Sequence, residues 1–170
     1  MVFIILLILC TSCYQNDNSI KAIECIQKNG NTPVFSILNE FENKLIEENH
    51  LMDSSFGSYI KLVKKIQNQS IIVNDSLERF YINNYGFFTP AVNIKFKECI
   101  ENSLENNSTR QESLRVLDEI NKSLFKEKFD FSVIQEIKKE DFEMPIVRYS
   151  ILFTLFFYYK ECQMRKVIIL

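Results

Sequence analysis

Residues 145–162 read PIVRYSILFTLFFYYKEC, and how this stretch winds decides the fold. At the α-helical period Ile146, Tyr149, Phe153, Phe156 and Phe157 fall along one side, with Leu152, Leu155, Tyr159 and Cys162 along another. A helix that is apolar nearly all round has no solvent face, so it is expected at the centre of a bundle. Crossing a bilayer takes about 20 apolar residues. The run from Ile146 to Tyr159 is shorter than that and contains Arg148. A guanidinium in the first turn of so apolar a helix must meet a carboxylate or reach water. Asp141 and Glu143, just upstream, are the expected partners of Arg148 in a structural ion pair, with anion recognition as the functional alternative.

Working back from this element, apolar residues recur at spacings of three and four, the signature of amphipathic helices. Ile20, Ile23 and Ile26 line a first short helix that stops near Gly30. Thr32 and Pro33 read as N-cap and first helical residue ahead of the stripe Phe35, Leu38, Phe41, Leu45 and Ile46. Asp53 to Ser55 cap a third helix carrying Phe56, Tyr59, Ile60, Val63 and Ile66. From Ile71 to Phe88 the reading divides between a short strand pair begun by Ile71, Ile72 and Val73 and a helix carrying Leu77, Phe80 and Tyr81. Thr89 and Pro90 repeat the capping pair, and Val92, Phe96, Cys99, Ile100 and Leu104 continue a helix to Glu105. Asn106 and Asn107 break it, and Ser108 with Gln111 fits a capping box leading into Leu114, Leu117, Ile120 and Leu124. Phe131, Ile134 and Ile137 mark a short helix before the final one.

The fold class is therefore all-α: an irregular bundle of six or seven helices around an apolar C-terminal helix, over residues 19–170. Composition agrees, since 46% of residues are hydrophobic and 25% charged, with only three glycines and three prolines. A single domain of this size buries roughly 70% of its unfolded-chain surface. The net charge of −2 argues against a nucleic-acid binder, which needs a basic stripe to displace counterions.

Chemistry-bearing motifs are sparse. The Gly30, Gly57 and Gly86 spacing makes no phosphate loop, and no GxSxG elbow occurs. Glu98, Glu101 and Glu105 share a helical face but read as solvated, beside Lys95 and Lys97. Glu47, Glu48 and His50, the single histidine, read as a water-exposed helix end rather than a metal site. Cys25, Cys99 and Cys162 are spaced too widely for a zinc site; three small buried side chains are the leading reading, one bridge with a spare thiol the other. No cofactor or metal is expected. If a binding surface exists, the aromatic-rich turn with Tyr81, Tyr85, Phe87 and Phe88 is the preferred place, because a crowded turn is harder to bury than a helix stripe.

The N-terminus carries a different kind of signal. Val2 to Cys10 is an apolar run of signal-peptide length, followed by Thr11, Ser12 and Cys13 and then a solvated stretch, Gln15 to Ser19. This pattern resembles the lipobox of bacterial lipoproteins: Thr11 and Ser12 match the small positions, Cys10 stands where an aliphatic residue is usual, and Cys13 matches the acylated cysteine. The resemblance implies a signal peptide over residues 1–12, lipidation of Cys13 and a short tether over residues 13–18. Its partner would be membrane lipid, held by the acyl anchor. Each buried methylene adds about 0.8 kcal/mol, so two or three chains anchor a protein almost permanently. Tyr14 is not the aspartate of the family's inner-membrane retention rule, which favours the outer membrane. The functional expectation is a non-enzymatic binding or scaffolding lipoprotein of the cell envelope with a possible protein partner. The alternatives are an immunity or inhibitor-like protein, or a carboxylate enzyme without a signature motif.

Overall fold

A computed structural model describes residues 18–28, 33–68, 75–124 and 128–168. Cys13 and the expected signal peptide lie outside these residues, as do Ile71, Ile72 and Val73. Among the described residues the chain is all-helical, without a strand: α1 (18–28), α2 (Val34–Glu47), α3 (Phe56–Gln67), α4 (Asp75–Asn84), a single 3-10 turn (Tyr85–Phe87), α5 (Pro90–Ser103), α6 (Ser108–Leu124), α7 (Ser132–Gln135), α8 (Lys139–Phe142) and α9 (Pro145–Ile168). Among the described residues there are nine helices, where about six or seven are expected from the sequence. The additions are α4, where the strand pair was the rival reading, and α8, four residues too short to show a period.

The central helix is α9. Ile146, Val147 and every residue from Ser150 to Phe157 are buried, against α6 on one side and α2 on another. Ser150 and Thr154 sit in this apolar surround with their hydroxyls donating to backbone carbonyls, of Ile146 at 2.8 Å and Val116 at 3.2 Å. Each hydroxyl thereby avoids the penalty of an unpaired buried donor. Around Phe156 the rings interlock: Phe88 stacks at 4.0 Å between centroids, Tyr81 lies at 4.7 Å and Phe41 meets it edge-on at 5.2 Å. No helix among the described residues is long and apolar enough to cross a membrane.

Helix starts follow local chemistry. Ser55 caps α3 by accepting from the Ser58 amide, and Thr89 caps α5 with Pro90 in the first turn. Two boundaries shift by one residue from the sequence reading. Pro33 stands before α2 rather than inside it, its carbonyl accepting from Ile37 at 2.9 Å. Asn107, not Ser108, caps α6, its Oδ1 accepting from the Arg110 amide at 3.1 Å. Asn and Ser are equally good caps, and here Ser108 is drawn away to Asp141. After α2 the chain turns through Asn49 at φ 59°, the left-handed position that closes a helix C-terminus, and the Leu45 carbonyl accepts from His50 and Leu51.

One covalent tie joins distant segments. Cys25 on α1 and Cys99 on α5 form a disulfide with Cα atoms 5.6 Å apart and a sequence separation of 74. The leading expectation of three unbridged cysteines is thus corrected, because folding α1 onto α5 brings two helical positions into bonding range. The side chain of Cys162 lies outside the described residues.

Candidate functional site

The site grows from a carboxylate in the wrong place for a solvated residue. Glu42 follows Leu38 by four and precedes Leu45 by three, which sets it on the apolar stripe of α2. Its side chain is only 5% exposed. Two groups meet it: the Tyr59 hydroxyl from α3 donates to Oε1 at 2.6 Å, and the Arg148 guanidinium from α9 donates through Nη2 to Oε2. Three helices are pinned together by this arrangement. Burial first, then the Glu42 charge, pushes the Tyr59 hydroxyl well above its ordinary pKa, so it stays a proton donor. Burial works to lower the pKa of Arg148, but the hydrogen bond and charge of Glu42 more than offset it and the guanidinium is held charged.

This pairing corrects the expectation that Arg148 meets Asp141 or Glu143. Asp141, on α8, is buried against the first residues of α6, accepting from Ser108 Oγ at 2.8 Å and Thr109 Oγ1 at 3.1 Å. Glu143 is exposed, with Lys139 at 4.0 Å. Proximity in sequence suggested both; the partner comes from 106 residues away. The available signal was Glu42 on the stripe of α2, a buried carboxylate that itself requires a cation.

Arg148 faces two ways. Behind it lies Glu42, and in front it lines a cleft of about 950 Å³ formed by the segment Asp53–Gly57, by α8 and by the first turns of α9. The volume falls within the range of small-molecule sites, roughly 300–1,000 Å³. Rings of Phe56, Phe142 and Tyr149 give it apolar walls. The charges are mixed: Arg148 and Lys139 are positive, Asp53 and Glu143 negative. Asp53 is fixed as well, its Oδ1 accepting from the Ser55 amide at 2.9 Å and the Ser55 hydroxyl at 2.5 Å. Those hydrogen bonds hold its carboxyl below the usual range, so it is an anion throughout the neutral region.

The other candidates separate from this cleft. Tyr81 and Phe88 are buried in the ring cluster around Phe156, correcting their expected place on a binding surface; Phe87 is 40% exposed and the side chain of Tyr85 lies outside the described residues. Tertiary packing absorbs these rings because α4 and the 3-10 turn curl back onto α9. Glu98 pairs with Lys95 at 2.6 Å on the surface, and Glu101 and Glu105 are exposed. Lys44 pairs with Glu47 at 2.6 Å, while His50 is half-buried with its ring 6.5 Å from that of Tyr159. No protein-family model, curated protein or solved structure matches this chain. A functional reading therefore rests on the cleft and on the N-terminal lipobox-like pattern.

Proposed function

We propose that this chain is a lipid-tethered, non-enzymatic binding module of the bacterial cell envelope, anchored through Cys13, whose binding site is the cleft at the start of α9. The observation that carries the reading is Arg148, charged, fixed from behind by Glu42 and turned toward a cleft of ligand size. A cation held in place before a ligand arrives loses little entropy on binding. Asp53, whose pKa is lowered by the Ser55 hydrogen bonds, is tuned away from neutrality and suits recognition better than proton transfer. The lipobox-like leader supports the envelope half of the proposal, and the Cys25–Cys99 bridge is of the kind that persists in oxidising compartments.

Two experiments test the two halves. For the anchor, growth with a clickable fatty-acid analogue is expected to label the wild type, and Cys13→Ala is expected to lose the label and move to the soluble fraction. An unlabelled wild type, or label retained in the Cys13→Ala protein, removes the tether. For the cleft, a photoreactive residue placed at the exposed Ser54 is expected to give adducts in intact envelopes, whereas the same group at the exposed Ile94, outside the cleft, is not. Equal yields at both positions remove the cleft from the proposal.

A further inference from the structure

The cleft-lining charges select among ligand classes. A simple anion approaching Arg148 and Lys139 meets Asp53 and Glu143, and a simple cation meets the reverse. Like charges brought together in a partly desolvated site are unfavourable, so neither class is matched by the whole lining. Lys139 and Glu143 are exposed and 4.0 Å apart, a loose pair that screens itself. What remains is one fixed charge of each sign.

These two are held in the same manner. Asp53 engages Ser55 entirely through Oδ1, leaving Oδ2 without a hydrogen bond among the described residues. Arg148 engages Glu42 through Nη2, its Nε is buried, and its side chain, 35% exposed, lines the cleft with Nη1 making no hydrogen bond among the described residues. Both groups are therefore oriented by the protein with hydrogen-bonding capacity to spare. The planar guanidinium matches a carboxylate, while a carboxylate oxygen flanked by an aromatic wall suits a primary ammonium. Phe56, Phe142 and Tyr149 supply the apolar surface between them.

We propose that the cleft binds a small zwitterion of the amino-acid class, a free amino acid or a short peptide with both termini unblocked, its carboxylate on Arg148, its ammonium on Asp53 and an apolar side chain against the rings. The proposal rests on the reading of the cleft as the binding site and names the chemistry of its ligand. Two charges of opposite sign on one ligand also explain why the site holds one fixed charge of each sign.

Isothermal titration of the purified full chain in detergent micelles, with the disulfide intact, tests this with L-phenylalanine and with the dipeptide phenylalanyl-phenylalanine as probes. At least one is expected to bind with a dissociation constant at or below about 1 mM. Its N-acetyl and C-amide derivatives, each lacking one charge, are each expected to bind at least about tenfold more weakly, equivalent to one missing charge-assisted contact. Asp53→Asn keeps an Oδ1 for the Ser55 cap; it is expected to weaken the parent ligand about tenfold and leave the N-acetyl derivative unchanged. Arg148→Lys retains the ion pair with Glu42 but not the planar fork, and is expected to weaken the parent and the N-acetyl derivative alike. The preference between amino acid and dipeptide tells the two sources apart. Binding of either singly charged derivative as tight as the parent overturns the zwitterion while leaving the cleft a binding site. Absence of binding by both probes in a protein whose circular dichroism is helical overturns it too, and the Ser54 photoadduct then decides separately whether the cleft is used at all.

Discussion

At the scale of single residues, the molecule is organised by where it buries charge. Glu42 and Arg148 illustrate why a buried pair is hard to dismantle by halves: removing the carboxylate strands a cation that has already given up part of its hydration. Glu42→Gln is expected to lower unfolding free energy by about 3 kcal/mol, the low end for breaking a buried pair because Arg148 reaches solvent. The double change Glu42→Met with Arg148→Met should recover most of that loss. Urea midpoints measure both, and a Gln variant within about 0.5 kcal/mol of wild type would show that the pair contributes nothing to the fold. His50 gives a pH-dependent counterpart. Burial chiefly, with Lys65 adding to it, lowers its pKa below the ordinary 6.5, so the unfolded chain takes up its proton first as pH falls. Stability from this residue is therefore complete above about pH 6.5 and declines below it, down to the lowered folded value. Thermal melts from pH 7.5 to 5 should show this fall, with His50→Gln flattening it; an identical slope in the variant would exclude His50 as the source.

At the scale of elements, α1 is short and joins the core through small or few apolar side chains, Ala22 and Ile26 among them. An isolated helix of that length is marginal in water, so its attachment depends on tertiary ties. The Cys25–Cys99 bridge closes a loop of 74 residues and, in the chain-entropy description, stabilises by about 4 kcal/mol. Cys25→Ser is expected to lower stability by about 2–4 kcal/mol and to make urea unfolding insensitive to reductant, unlike the wild type. Reductant sensitivity that survives in Cys25→Ser would point to a different pairing. This element also shows what sequence patterning reaches. Stripes such as Phe35, Leu38, Phe41 and Leu45 and caps such as Ser55 and Thr89 were legible because they are local, set by periods and by hydrogen bonds a few residues long. The bridge, the Glu42–Arg148 pair and the cleft were not, because each is made by residues that only the packing of helices brings together. Sequence spacing proposed Arg148 as the residue of interest and gave it the wrong neighbours.

At the scale of the whole molecule, stability and the cleft share one scaffold, since the start of α9 lines the site and its middle is the core. Phe156 touches rings from α2, α4 and the segment after the 3-10 turn, so it couples elements far apart in the chain. Truncating it removes a large buried side chain and leaves a hole that close-packed neighbours fill only in part. Phe156→Ala is expected to cost about 3–5 kcal/mol. Phe87, 40% exposed and one residue from the fully buried Phe88, makes the sharper comparison: Phe87→Ala should stay within about 0.5 kcal/mol of wild type. Both are phenylalanines, so the contrast reads packing and not residue type. If α9 is the hub, Phe156→Ala also loosens Arg148 two turns away, and the zwitterion affinity should fall in step with the Tyr149 ring's loss of near-ultraviolet circular dichroism. Equal stability losses for the two phenylalanine variants would mean that α9 does not organise the bundle, and that the cleft is held by α3 and α8 alone.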